Sequence, residues 1–251
     1  MSSISSAKPN YGVDAPAVLR NLFLFGGLCL LLGLMLPPIL HLGPVALNTR
    51  PTFLVPALFL LAEGFLYLLY VKVGKFHHRD RMLALHQWRG DEAVLDVGCG
   101  RGLLLAGAAK RVRDRSGTGR ATGIDIWSNA DMGGNSEAAT LRNIEIEGVT
   151  PICTLASIAA QEMPFDDASF DVVVSNLCLH NIYDKPTRHR ALAEIVRVLR
   201  PGGMAILSDY KLTGQYAEQL RRSGLEVERK SANWFTTFPP LTIVVARKRP
   251  L

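Results

Sequence analysis

The chain has 251 residues, 48% of them hydrophobic, and carries a formal net charge of +6. That much apolar material excludes an intrinsically disordered chain and suffices for a sizeable core. Its four cysteines, Cys29, Cys99, Cys153 and Cys178, lack the close pairing of a zinc or redox motif, so no structural metal is expected and free thiols in a reducing compartment fit.

In chain order, a short tail (residues 1–20) leads into two apolar runs. Residues 22–42 hold no formal charge, and residues 52–71 are broken only by Glu63. Each is long enough to cross a bilayer core of about 30 Å as a helix of about 20 residues, so residues 21–72 are expected to form a transmembrane hairpin with a short loop at 43–51. Pro37-Pro38 is expected to end or kink the first helix. A cleaved signal peptide would have a shorter apolar stretch, of roughly 7 to 15 residues, followed by a small-residue cleavage site. The alternative of a buried hairpin in a soluble domain is disfavoured by how apolar both runs are. An ionised Glu63 would be costly at mid-depth. It is expected to be protonated and bonded to the first helix or to a second subunit.

Lys72, Lys75, Arg79, Arg81 and Arg89 crowd the segment after the second run, while the hairpin loop offers only Arg50. The excess of basic residues on one side places both termini and the following domain in the cytoplasm, as an integral membrane protein. The same placement explains the net charge through membrane lipids rather than nucleic acid, because Lys and Arg beside an anionic surface each contribute about 1 kcal/mol of attraction. Residues 73–90 read as a basic juxtamembrane linker with an amphipathic stretch near 81–88. His77 and His78 are read there as interfacial side chains.

From residue 91 onward the pattern alternates. Strands are expected near 93–97, 121–126, 151–155, 171–175, 204–209, 225–230 and 241–247, with helices near 103–111, 136–147, 186–199 and 214–223. Such alternation predicts an α/β fold, a mainly parallel sheet with helices on both faces, spanning residues 91–251. In such sheets ligands sit at the carboxyl ends of the strands. The first strand runs through Asp96 into Gly98-Cys99-Gly100-Arg101-Gly102, a turn that lets backbone approach a ligand. The second ends in Asp125, placed to accept hydrogen bonds from ribose hydroxyls. No Gly-Lys-Ser/Thr follows the turn, which excludes a P-loop.

Together with Met163-Pro164-Phe165-Asp166-Asp167-Ala168-Ser169-Phe170-Asp171 and Leu199-Arg200-Pro201-Gly202-Gly203, these motifs make residues 80–249 resemble a class I S-adenosylmethionine-dependent methyltransferase of the small-molecule, quinone-biosynthesis-like branch. The resemblance implies a Rossmann-like seven-stranded sheet whose last strand runs antiparallel beside the fifth. It also implies S-adenosyl-L-methionine as cofactor, with Asp96 receiving its amino group, Gly98, Cys99, Gly100 and Gly102 packing against it, and Asp125 on the ribose. Ile126 or Trp127 would flank adenine, and Asn176 joins this set. The family often carries an acid before the Met163 equivalent to contact adenine. This chain has Ile158-Ala159-Ala160 there, leaving a carbonyl, Ser157 or Gln161 as substitutes.

His180, in the loop 176–183, resembles the family's Leu-His signature. It is a candidate to accept a proton or orient the substrate, with a structural hydrogen bond as the alternative. Tyr210 is a second catalytic candidate, with Tyr183 and Asp209 beside it. Trp234, Phe235 and Phe238 lie in the loop before the last strand, either packed locally or facing lipid. The expected function is methyl transfer to a lipophilic or membrane-associated small molecule. A tethered enzyme for a soluble acceptor and a non-catalytic cofactor-binding scaffold are the alternatives. The sequence leaves the oligomeric state open.

Overall fold

The computed structural model describes residues 7–115, 117–128 and 134–250. The first apolar run becomes helix α1, Pro16–Met35, which starts on a proline whose missing N–H costs nothing there. The run is not helical to its end. Pro37 and Pro38 cannot continue the ladder, and Ile39–Leu42 (β1) instead pairs antiparallel with Val45–Asn48 (β2). Thr49 closes this small hairpin, its hydroxyl donating to the Pro37 carbonyl at 2.7 Å.

Helix α2 spans Thr49–Leu69 and does not stop at a linker. A π-helical turn, Tyr70–Gly74, carries it straight into α3, Lys75–Leu83. The helices α1 and α2 approach closely where side chains vanish: Gly26 lies against Leu60 and Leu61, Gly33 against Leu54, and Gly64 against Phe23. Their outer faces stay open, with Leu24, Phe25, Leu31, Leu58, Phe59 and Phe65 all exposed. Only 11% and 28% of their most apolar stretches are buried, unlike the core helices of a soluble domain. By length and composition both helices can cross a bilayer. Glu63 is exposed and, among the described residues, has no hydrogen-bond or ion-pair partner on α1, so the expected bond to the first helix is absent.

The rest of the chain builds one sheet of seven strands: β3 (Ala93–Val97), β4 (Arg120–Asp125), β5 (Cys153–Ser157), β6 (Phe170–Asn176), β7 (Leu199–Asp209), β8 (Glu226–Arg229) and β9 (Thr242–Arg247). Their order is β5-β4-β3-β6-β7-β9-β8. The first five run parallel and β9 is antiparallel to β7, as the resemblance implied. Strand β7 begins earlier than expected, because Leu199 already pairs with Phe170 before the register shifts and resumes at Met204. Helices α4 (Leu103–Arg113), α5 (Glu137–Ile146), α6 (Lys185–Val198) and α7 (Thr213–Arg222) connect the strands. The central strands carry apolar side chains on both faces, and each face has its own core, around Leu95, Val173 and Ile195 on one side and Val94, Leu105 and Val172 on the other.

The charged residues of the two later motifs serve structure. Asp171 accepts the Ala93 N–H at 2.8 Å and Arg200 at 2.6 Å, locking β3, β6 and β7 in register. Arg197 donates to the carbonyls of Met163 and Phe165 and pairs with Glu194 and Asp167, pinning the loop before β6. His78 corrects the expectation of an interfacial side chain. It is buried, with Nε2 2.6 Å from the Ser208 hydroxyl on β7, and burial holds its pKa down at about 4. That contact ties the continuous α2–α3 helix to the middle of the sheet.

Candidate active site

The parallel strands end along one edge, and backbone strain collects there. Trp127, just after β4, and Leu177, just after β6, hold left-handed φ angles of 54° and 53°. Such conformations cost about 1–3 kcal/mol each and persist only where the surroundings impose them. Between them lies the glycine turn. Gly98 has φ +71°, and a Cβ placed on it would lie 2.2 Å from the Cys178 sulfur, so only glycine fits against the loop after β6.

The turn is held from both sides. Gly98 and Cys99 donate their N–H groups to the Ile124 carbonyl at 2.8 and 3.0 Å, and Gly100 donates to Asp125 Oδ2 at 2.8 Å. Asp125 Oδ1 accepts the Trp127 N–H at 2.6 Å and the Asn135 amide at 3.3 Å. The acid at the end of β4 is therefore fixed in orientation, with a lone pair on Oδ2 left for a further donor. Thr140 reaches from α5 to the Gly100 carbonyl at 2.6 Å and completes the clamp.

A cavity of about 610 Å³ opens over this edge. Gly98, Gly100, Asp125, Ile126 and Asn176 border it, as do both catalytic candidates, His180 and Tyr210. Asp96, Cys99, Gly102 and Trp127 do not. Asp96 is buried just before the turn, where desolvation pushes its carboxyl up to about 8, a backbone N–H from Leu105 opposes the rise, and the Asp125 charge adds to it. Cys99 packs into the core, burial raises its thiol well above the ordinary range, and it is unsuited to nucleophilic work. Gly102 caps α4. Trp127 packs against the core beneath the edge, so of the two residues expected at adenine only Ile126 faces the cavity.

Where the family acid is missing, Ile158, Ala159, Ala160 and Gln161 form the wall. Of the two polar substitutes expected there, Gln161 borders the cavity and Ser157 does not. Of the segment 128–135, which is longer and more glycine-rich than a minimal turn, residues 129–133 lie outside the described residues.

On the cavity wall the buried oxygens Asn135 Oδ1 and Asn176 Oδ1 have no hydrogen-bond partner among the described residues. Acceptors left unpaired at such depth suit a ligand bringing amino and hydroxyl donors, as S-adenosylmethionine would. The residues present therefore fit that group. Among the described residues no cluster of His, Cys, Asp and Glu could hold a metal ion.

Around His180 the structure adds what spacing did not show. Asp209 ends β7 almost fully buried. It accepts the His180 backbone N–H at 3.2 Å, the Tyr210 N–H at 2.9 Å and the Tyr216 hydroxyl at 3.1 Å. His180 Nδ1 sits 2.9 Å from Asp209 Oδ1, at ion-pair distance but off the axis of a straight hydrogen bond. Tyr210 stacks edge-on against the imidazole at 4.8 Å.

The remaining wall comes from the opposite end of the chain. Ala15, Val18 and Leu22 of the α1 region, Tyr67 and Tyr70 at the end of α2, and Asp14 all border the cavity. Residues 10–14 are strapped down by reciprocal Asn10–Asn143 bonds of 2.8 and 2.9 Å, by Tyr11 donating to Glu147 at 2.6 Å, and by buried Lys75 donating to the carbonyls of Tyr11 and Gly12. Tyr67 donates to the Asp14 carbonyl. Burial raises the Asp14 carboxyl, with the Lys75 charge opposing. No local sequence signal marks these residues, since the strap is held by contacts more than 50 positions apart. The loop 233–238 closes the same side. At Gly74 an added Cβ would lie 2.1 Å from the Thr236 carbonyl, so the π-helical turn and this loop touch backbone to backbone. Phe238 and Pro239 border the cavity, while Trp234 and Phe235 project outward, 75% and 97% exposed.

Residues 95–207 match the family described as a methyltransferase domain. A protein of Haemophilus influenzae is 30% identical over 163 residues, 65% of this chain and 58% of its own. A demethylmenaquinone methyltransferase of Staphylococcus aureus is 37% identical over 113 residues, covering 45% of this chain and 41% of that one. A sterol 4-C-methyltransferase of Caenorhabditis elegans is 33% identical over 122 residues, 49% and 32%. The chain thus spans about half the length of the curated relatives it matches. Among solved structures, an S-adenosylmethionine-dependent methyltransferase of Aquifex aeolicus superposes with a TM-score of 0.52 at 16% identity, over 67% of this chain and 88% of that one. An O-methyltransferase family protein of Burkholderia thailandensis gives 0.57 at 15% identity, over 92% and 70%. The sheet is the Rossmann-like methyltransferase fold.

Proposed function

We propose that this chain, which carries a methyltransferase domain across residues 95–207, is a membrane-anchored enzyme that transfers a methyl group from S-adenosylmethionine to a lipophilic small molecule. One observation carries the reading: the cavity bounded by Gly98, Gly100 and Asp125 on one side is bounded by α1 and α2, two bilayer-length apolar helices, on the other. A free aqueous metabolite gains nothing from such a wall, whereas an acceptor dissolved in a bilayer meets the enzyme at high local concentration. The names of the Staphylococcus aureus and Caenorhabditis elegans relatives point to isoprenoid quinones and sterols, both lipophilic.

The cofactor, when bound, supplies a methyl carbon already activated by a sulfonium charge. The protein's share is placement, exclusion of water and, for a protic acceptor, removal of a proton. Asp125 would hold the ribose, and Asn176 would take an amino or hydroxyl donor. His180 borders the cavity beside the buried Asp209 carboxylate, so it would accept a protic acceptor's proton while the Asp209 charge stabilises the resulting imidazolium. Ile158 and Gln161 stand where an adenine would rest. The exposed Trp234 and Phe235, on the loop that touches the end of α2, suit the headgroup region as interfacial anchors, and the basic residues of α3 suit the cytoplasmic surface.

The test is transfer of radiolabelled methyl from S-adenosylmethionine into a native membrane extract by detergent-purified protein, with Asp125→Ala as control and separation of organic from aqueous phases. Organic-phase label that vanishes in the control supports the reading. Label in the aqueous phase alone rejects a lipophilic acceptor, and cofactor binding without any label points to a scaffold.

A further inference from the structure

Residues that border a cavity and are also exposed mark where it opens. On the aqueous side these include Ile126, Tyr183 and Tyr210, 66%, 81% and 45% exposed. A second opening lies beside the apolar helices, at Val18, which borders the cavity and is 53% exposed. Ala15, Val18 and Leu22 stand at i, i+3 and i+7, one stripe of a helix face. Across from them Tyr67 and Tyr70 stack with ring planes 7° from parallel, and Leu177 and Phe238 complete an apolar passage. The stripe stops where Gly26 brings α1 onto Leu60 and Leu61 of α2, so the passage ends sideways beside the hairpin rather than along its axis.

We propose that the acceptor is an amphiphile whose polar ring head sits against His180 and Tyr210 and whose hydrocarbon tail leaves the cavity between the Val18–Leu22 stripe and Tyr67, passing directly into the adjacent leaflet. The hairpin is then part of the substrate site and sets its preference for tailed acceptors. This deepens the function proposed above and rests on it, since the passage leads to lipid only if α1 and α2 lie in a bilayer. The chemistry of the walls selects the two ends of the ligand: carboxylate, amide and imidazole groups at the strand edge, aliphatic and aromatic carbon at the helices.

The experiment uses the full chain in phosphatidylcholine vesicles and a twelve-carbon alkylphenol carrying a diazirine at mid-chain, photolysed and mapped by peptide mass spectrometry. Label on the segments holding Val18, Leu22 and Tyr67 is expected, competed by the unlabelled alkylphenol at least fivefold better than by tail-less p-cresol. Leu22→Trp should cut that label at least fivefold, and Leu58→Trp, on the open face of α2, should leave it unchanged. Cofactor binding by calorimetry confirms that each variant is folded, and Val18→Trp replaces Leu22→Trp if the latter is not. Label confined to outward residues such as Leu24 and Phe59, or label that Leu22→Trp does not reduce, overturns the passage while leaving the membrane enzyme standing. Release of the chain from the vesicles by alkaline carbonate overturns both.

Discussion

Gly98→Ala tests how tightly the cofactor turn is built. Two costs add. Alanine at φ +71° sits in the left-handed region, at about 1–2 kcal/mol. Its Cβ would also lie 2.2 Å from Cys178 Sγ and 2.4 Å from Cys178 Cβ, distances no relaxed contact tolerates, and relief by backbone movement costs about 1–3 kcal/mol. The sum is about 2–5 kcal/mol of lost stability. The shift that relieves the clash must move either the turn or the loop carrying His180, so cofactor affinity should fall by about tenfold or more, which is 1.4 kcal/mol. The partners decide how much can be rescued. Cys178→Ala removes only the sulfur contact and should restore part of the loss. Cys178→Gly removes both contacts and should leave the dihedral cost plus about 0.5–1 kcal/mol for the added glycine. Thermal unfolding of detergent-solubilised single and double variants gives the coupling energy, and calorimetric titration with S-adenosylmethionine gives affinity. Equal losses in Gly98→Ala with and without Cys178→Gly, or wild-type affinity in Gly98→Ala, would refute the close packing of turn and loop.

Asp209→Asn keeps the shape and removes the charge from a buried group that faces three donors. Its amide nitrogen must oppose one of them, costing about 1–3 kcal/mol of stability. Without the carboxylate charge beside it the imidazolium loses its stabilisation, and methyl transfer to a protic acceptor should fall about 10²- to 10⁴-fold with cofactor affinity unchanged; an unaltered single-turnover rate would show that His180 takes no proton. His78, held neutral at about 4 in the folded state against an ordinary 6.5, is protonated more readily when unfolded. Its contribution is complete above about pH 6.5 and is lost as pH falls toward 4, by about 3 kcal/mol. His78→Gln should therefore flatten the stability-against-pH curve in that window, and a curve of unchanged slope there would assign the acid sensitivity elsewhere.

Local pattern was enough for what local pattern controls. Alternation of apolar strands and amphipathic helices, with Asp96 leading into Gly98 and Gly102 and a carboxylate closing the next strand, determined the parallel sheet and the edge at which a ligand sits, because strand polarity and glycine turns are short-range properties. The length and apolarity of the two N-terminal runs likewise announced two long helices. Where Pro37 and Pro38 intervene, the balance between helix and hairpin depended on Thr49 reaching back to the Pro37 carbonyl, and only the folded chain shows that bond.

Tertiary structure alone decided who shares the cavity. The pairing of Asp209 with His180, 29 positions apart, arises because β6 and β7 are neighbours whose ends meet. His78 looks like a surface side chain in sequence, and is buried because α3 packs against β7, where it meets Ser208. Tyr67, Tyr70 and the Asp14 strap carry no motif. They enter the site because a helix long enough to continue from the apolar run into the domain brings the end of one hairpin arm and the start of the other to the same strand edge, and burial of Tyr11 and Lys75 holds them there.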